Sequence, residues 1–269
     1  MLLRKCLLAV CVGGFALTAC AAGHSGTDAA GKAASATAAP APSATGGTAA
    51  VRQALQKFAP GLQLDAIQPS PVPGFYQVIA AGQLVYVSAD GKHMFTGNLI
   101  DLARQENLSD DAWAAYRRAQ LAKVPAAQRI VFAPPHPKYR VTVFTDVTCP
   151  YCRVLHEHVA DYNKEGIEVD YLAWPRDGVT TTSGRPTPTY TEMVSVWCAA
   201  DRKAAFTAAM NGGTPRPATC VNPAESEFEL GERLGVDGTP TVIAEDGTVI
   251  GGYLSPAQML QAVRQHSAG

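Results

Sequence analysis

The stretch "FTDVTCPYC", residues 144–152, places two cysteines three positions apart at the end of an alternating apolar run. Cysteine is scarce here, seven in 269 residues, so the pairing asks for a reason: electron exchange, metal binding or a local disulfide. The preceding "YRVTVFT" reads as a strand and residues 152–164 as a helix, with Pro150 fitting its first turn. Cys149 is then expected at the helix N-terminus, where the dipole and free backbone N–H groups favour a thiolate and make it the attacking sulfur. Cys152, one turn inward, is expected to be more buried and to resolve the mixed disulfide. Tetrahedral zinc would need two further ligands. His156 and His158 are near, but two positions apart on a helix they face different ways and cannot both join the cysteines. They read as solvated or packed helix histidines. Redox chemistry is the expectation, with a structural disulfide or a metal site as the alternatives.

Outward toward the C-terminus, "IEVDYLAW" is a second strand, which completes a βαβ unit. Helical stretches follow at 191–210 and 224–234, then a hairpin around Asp246-Gly247 and a terminal helix capped by Ser255 before Pro256. This is the thioredoxin-like order of elements. Within it, "GVDGTPTVI" sets Pro240 between Thr239 and Thr241 at the start of a strand. Alone, that would be an ordinary turn. In this topology it predicts a cis-proline facing the cysteines, with the backbone before it free to pair with an extended substrate. Cys198 and Cys220 remain, and pairing them is the connectivity that leaves the first pair free; closing that loop is worth about 3 kcal/mol in the chain-entropy model. Free buried thiols are the alternative.

Outward toward the N-terminus, "SDDAWAAYRRAQLAK" (109–123) reads as a connecting helix with a Ser/Asp cap and Trp113, Tyr116 and Leu121 in its pattern. Pro125 ends it, and "APPHPKYR" approaches the second domain in extended form. Before it, residues 74–102 show three β-rich runs with turns at Ala81-Gly82 and Asp90-Gly91. Such a small antiparallel sheet buries little surface, and pairing with another copy would remedy that. A short helix with Val51, Leu55 and Phe58 on one face precedes it and stops at Pro60-Gly61. Residues 21–50, nearly all Ala, Gly, Ser, Thr and Pro, read as a flexible tether. Arg4 and Lys5 before "CLLAVCVGGFALTAC" read as a signal peptide, too short to span a membrane. Leu17-Thr18-Ala19-Cys20 looks like a bacterial lipobox, which predicts acylation of Cys20 and outer-membrane tethering; cleavage after Ala21 to a soluble periplasmic protein is the alternative. A formal charge of -1 and no basic run speak against nucleic-acid binding.

From about Val51 onward, "IQPSPVPGFYQV", "YVSADGKHMFTGNLIDL", "VTVFTDVTCPYC", "WPRDG", "WCAADRKAAF", "LGVDGTPTVI" and "GGYLSPAQM" resemble, in order and across both domains, the DsbC/DsbG family of periplasmic thiol:disulfide isomerases. The resemblance implies a mixed α+β and α/β chain. Residues 51–108 would form a small cystatin-like antiparallel dimerisation domain, 109–128 a linker helix, and 129–269 a thioredoxin-like domain with a helical insert, after the signal peptide (1–20) and tether (21–50). It implies a homodimer whose active sites face an open cleft, Cys149 as nucleophile, Cys152 as resolving thiol, and Thr239-Pro240 with Pro150 and Tyr151 as the substrate-binding surface. It further implies a structural Cys198–Cys220 disulfide, misfolded exported proteins as substrates, and a DsbD-type membrane thiol reductase as electron donor. No cofactor beyond the Cys149/Cys152 dithiol and no metal is implied. Asp146 also matches and is given no catalytic role. Pro150-Tyr151 follows the DsbG branch rather than Gly-Tyr, which leaves reduction of sulfenic acids and a chaperone role as alternatives. A DsbA-like dithiol oxidant is a further one, weakened by Thr239 before the proline and by the N-terminal domain. The lipobox and tether are also departures, since familiar members are soluble.

Overall fold

The computed structural model describes residues 44–267; the signal peptide, Cys20 and the tether up to residue 43 lie outside the described residues. Helix α1 (Ala44–Phe58) begins seven residues earlier than the tether reading allows. Its opening turn, Ala44-Thr45-Gly46-Gly47, holds two poor helix formers, so propensity does not set this start. Gly47 lies against the Tyr76 ring, where any Cβ would collide, and Val51 and Leu55 are buried beyond it. Packing therefore extends the helix into a stretch whose composition reads as linker.

The N-terminal sheet has four antiparallel strands in sequence order: β1 (Leu64–Pro69), β2 (Phe75–Ala80), β3 (Gln83–Ser88) and β4 (Met94–Thr96). β1 has no strong strand pattern of its own and exists through its register on β2, Ile67 opposite Val78 and Pro69 opposite Tyr76. Ala81 and Gly82 both take positive φ (48° and 69°), as a two-residue hairpin requires. The short strands β5 (Ile100–Asp101) and β6 (Glu106–Asn107) lead into helix α2 (Leu108–Leu121). Its cap is Asn107, whose side chain accepts from the Ser109 N–H; Ser109 is buried, sharing a hydrogen bond with the Tyr86 hydroxyl at 2.7 Å. The Ser/Asp cap of the sequence reading thus shifts by two residues.

The second domain contains β7 (Ile130–Phe132), β8 (Tyr139–Thr145), α3 (Pro150–Glu157), α4 (Val159–Lys164), β9 (Ile167–Ala173), α5 (Pro188–Trp197), α6 (Arg202–Met210), α7 (Ala224–Arg233), β10 (Thr241–Ala244), β11 (Val249–Gly251) and α8 (Pro256–Gln265). The sheet order is β11-β10-β8-β9-β7, with β8 and β9 parallel and their neighbours antiparallel. All seven residues of β9 are buried, Glu168 and Asp170 among them; Arg129 holds Asp170 at 2.7 Å and Arg140 holds Glu168 at 2.6 Å. Two helical stretches read as single are divided: 152–164 breaks at His158, and 191–210 breaks where Asp201 caps α6 by accepting from the Ala204 N–H. Residues from β8, α3, β9 and the insert, including Val143, Cys152, Tyr171, Trp197 and Phe206, share one core. Among the described residues no helix is long and apolar enough to cross a membrane.

Candidate active site

β8 delivers the chain to the corner before α3, and a buried carboxylate shapes that corner. Asp146 accepts from the Thr148 N–H and hydroxyl, both at 2.7 Å, and from the Arg176 N–H and Nε at 3.0 and 3.1 Å. Its backbone carbonyl accepts from the Cys149 N–H. A residue given no catalytic role is therefore the pin of the loop that carries Cys149, and an Asp two positions before a Thr at a strand end is the Asx-turn signal for it. Cys149 is the N-cap of α3 and Pro150 occupies its first turn. Across from it, β10 pairs with β8 (Thr241 opposite Phe144), which brings the loop before β10 to the same corner. The Thr239–Pro240 peptide there is cis.

The two sulfurs are free and their residues are almost equally covered, 2% and 1% exposed. Simple exposure does not separate them as the sequence reading expected; their surroundings do. A hydrogen bond from Cys152, followed by Thr239 and the backbone N–H groups of Cys152 and Tyr151, outweighs burial and lowers Cys149 to about 5. Burial, then the neighbouring Cys149 sulfur, pushes the Cys152 thiol far up, against smaller help from the Thr145 hydroxyl and the Asp146 N–H. At neutral pH one sulfur is a thiolate and the other keeps its proton. As a thiol, Cys149 donates to the Thr239 carbonyl at 3.2 Å; the buried Thr239 hydroxyl, without another partner among the described residues, is placed to donate to the thiolate. Pro150 and Tyr151 stand outward, Tyr151 at 67% exposure, while Thr239 is half-buried and Pro240 buried.

Cys198 and Cys220 are joined in a disulfide, Cys198 at the C-cap of α5 and Cys220 in the irregular chain before α7. His156 and His158 part as their spacing dictates. His156 is buried, with Nδ1 at 3.1 Å from the Tyr171 hydroxyl and Nε2 at 2.9 Å from the Thr207 hydroxyl, and burial lowers it to about 4. His158 stacks on Tyr253 and faces Asp161. Glu227, on α7, escaped the sequence reading. Its Oε2 accepts from the Ala173 N–H at 2.6 Å and burial raises it to about 8. In "AESEFELGER" nothing distinguishes it from Glu225 and Glu229, since only the end of β9 supplies its partner.

Residues 34–110 match the family described as disulfide bond isomerase protein N-terminal domain, and residues 126–267 match the thioredoxin-like domain. Similar proteins include the thiol:disulfide interchange protein DsbC of Dickeya dadantii, 38% identical over 82% of this chain and 88% of that one. DsbC of Escherichia coli is 36% identical over 81% and 88%. A solved disulfide interchange protein from Neisseria gonorrhoeae superposes with a TM-score of 0.47 over 54% of this chain and 100% of its own, at 26% identity. Both halves of the chain, and the order in which they occur, place it in the DsbC family of thiol:disulfide interchange proteins, which are disulfide isomerase enzymes.

Proposed function

We propose that this enzyme corrects wrong disulfides in exported proteins, with Cys149 as nucleophile and Cys152 as resolving thiol. The observation that carries the assignment is the split between the sulfurs: a thiolate at the N-cap of α3 and, one turn inward, a thiol that burial keeps protonated. The Cys149 thiolate attacks a substrate disulfide, forms a mixed disulfide and releases one substrate thiolate, which takes a proton. A second substrate thiol can then displace Cys149, which isomerises the substrate. Alternatively Cys152 loses its proton and attacks Cys149, which releases reduced substrate and leaves the Cys149–Cys152 disulfide. A membrane thiol reductase of the DsbD type would return the two electrons. Thr239 and Pro240, with Pro150 and Tyr151, form the surface against which the substrate chain lies.

The chain acts as a homodimer through its N-terminal domain. Supporting this, β4 is an edge strand with one neighbour, and Met94, Phe95 and Leu102 near it are 44%, 42% and 86% exposed. It works in the periplasm, carried there by the signal peptide and tethered by a lipid on Cys20, with residues 21–43 giving it reach.

The test is recovery of activity from a scrambled multi-disulfide protein by the reduced enzyme, alongside Cys149→Ser. Recovery that vanishes in the variant establishes isomerisation through Cys149. No recovery, with brisk reduction of a protein sulfenic acid, moves the enzyme to that specialised reductase role. Sedimentation of the same samples tests the dimer, and a monomer would refute it.

A further inference from the structure

The chain stays on the sheet beyond the end of β9. After Ala173, the Trp174 N–H still donates to the Thr145 carbonyl at 2.8 Å, and Pro175 is buried. A turn closed by the Gly178 N–H on the Pro175 carbonyl follows. Arg176 is thereby held against the end of β8, with its N–H and its Nε both donating to Asp146 Oδ2 at 3.0 and 3.1 Å. Its Nη2 reaches the Thr148 hydroxyl at 3.4 Å, and that hydroxyl donates to Oδ1 of the same carboxylate. The Asp146 side chain is 1% exposed and that of Arg176 43%. One face of the cation closes over a buried anion while the other meets water.

A buried carboxylate needs a partner, and a negative charge beside a thiolate opposes it. Asp146 stands three residues before Cys149, and its carbonyl accepts from the Cys149 N–H at 3.1 Å. Without a cation here, the reactive sulfur would share its corner with a like charge. Burial works against the charge on Arg176, but the Asp146 hydrogen bond and charge, then the Cys149 and Cys152 sulfurs, outweigh it and raise the guanidinium. The neighbouring groups do not replace this residue. Arg153, on α3, directs its Nε to the Val147 carbonyl at 3.0 Å, not to the carboxylate. The loop before β10 brings the Thr239 hydroxyl and carbonyl, which do not titrate.

We propose that Arg176 is a positioning residue of the thiol exchange: through Asp146 it locks the loop that carries Cys149, and it cancels that buried charge so that the sulfur is presented as a thiolate. This rests on the reading of Cys149 as nucleophile. The pair adds no net charge to the corner, so removing one member or the other should act in opposite directions. Arg176→Gln leaves an anion, still held ionised by the Thr148 N–H and hydroxyl and by the backbone N–H of residue 176. Asp146→Asn leaves a cation.

The test is the pH profile of Cys149 alkylation in the full chain, together with its equilibrium with glutathione at neutral pH. In that equilibrium two glutathione thiols reduce the Cys149–Cys152 disulfide and leave as one glutathione disulfide. Arg176→Gln should raise the alkylation midpoint by about one unit, which slows alkylation near pH 5 about five-fold and leaves it near the wild-type rate above neutrality. The glutathione equilibrium should shift about ten-fold toward the Cys149–Cys152 disulfide, because a less stable thiolate disfavours the reduced enzyme. Arg176→Lys, which keeps the charge, should restore most of both. Asp146→Asn combined with Arg176→Gln should return the midpoint to wild type. A wild-type midpoint in Arg176→Gln, or equal shifts in Arg176→Lys and Arg176→Gln, overturns the proposal. So does a double variant that keeps the full shift, or an alkylation rate that falls by the same factor at every pH. If Arg176→Gln does not fold, Asp146→Asn decides, with a midpoint below wild type expected and one at or above it refuting. Mass mapping that finds wild-type alkylation on Cys152 first refutes the nucleophile reading instead, and the glutathione equilibrium then decides Arg176.

Discussion

Two cysteine pairs in one domain stand in opposite states, one free and one joined, and they sit at opposite ends of helices. Cys149 caps the N-terminus of α3, where free N–H groups stabilise negative charge; Cys198 caps the C-terminus of α5, where carbonyls oppose it. Cys149 and Cys152 span a single turn, whereas Cys198 and Cys220 close a loop across 22 positions. A low thiolate pKa makes a bond to Cys149 labile, because a stable thiolate leaves readily. A long closed loop restricts the unfolded chain instead. The comparison teaches that helix end and hydrogen-bond donors, more than the proximity of two sulfurs, set how readily a sulfur carries negative charge, and the proposed division into chemistry and scaffold follows from that.

The largest effect that can break this comparison is expected from Cys152→Ser. Substrate reduction should be lost, and a mixed disulfide on Cys149 should accumulate, visible by mass under non-reducing conditions. Continued reduction would mean that Cys152 is not the resolving thiol. Next, replacing Cys198 and Cys220 together by alanine should lower the unfolding free energy by about 3 kcal/mol, read from a denaturant midpoint. The rate of Cys149 alkylation should not move; if it does, the two pairs are not separate devices.

Glu227 connects the two regions, since it holds the N–H at the end of β9 while the Trp197 indole, next to Cys198, acts on its carboxylate. Its folded pKa of about 8 lies above the ordinary 4.5. Its stabilising contribution is therefore complete below the ordinary value and is lost as pH rises through about 8. His156 runs the other way: lowered from 6.5 to about 4, it contributes fully above 6.5 and loses that as pH falls through about 4. The two slopes cancel between about pH 4.5 and 6.5, and from 6.5 to 8 Glu227 alone should cost about 2 kcal/mol. Glu227→Gln should flatten that decline in unfolding midpoints measured from pH 6 to 9. An unchanged decline would remove Glu227 as its cause.

The cysteine motif, the βαβ unit around it, the Asp246-Gly247 hairpin and the Ser255 cap were legible because each is written in neighbouring residues. Ser255 and Gln258 even complete the reciprocal capping box that their spacing permits. What escaped depends on distant partners. β1 and β7 are strands through register on β2 and β9, not through patterns of their own. The start of α1 is set by the Tyr76 ring, and Glu227 is an ordinary glutamate until β9 ends beside it. Asp146 stood in plain view, but its function depends on Arg176, thirty positions away.

The smallest and most discriminating change is Thr145→Val. The Thr145 hydroxyl is buried, has no conventional partner among the described residues, and acts on Cys152, where it opposes the rise caused by burial. Deleting it should leave Cys152 harder to deprotonate by the worth of one hydrogen bond, about 1 kcal/mol, or roughly five-fold in the resolving step. Cys149 draws its stabilisation from Cys152, Thr239 and the α3 backbone, none of which the substitution removes. Single-turnover release of a mixed disulfide should therefore slow several-fold while the pH profile of Cys149 alkylation holds its midpoint. A midpoint that moves as far as the release rate would mean that the two sulfurs titrate as one unit, and the separation of thiolate from thiol would fail at its source.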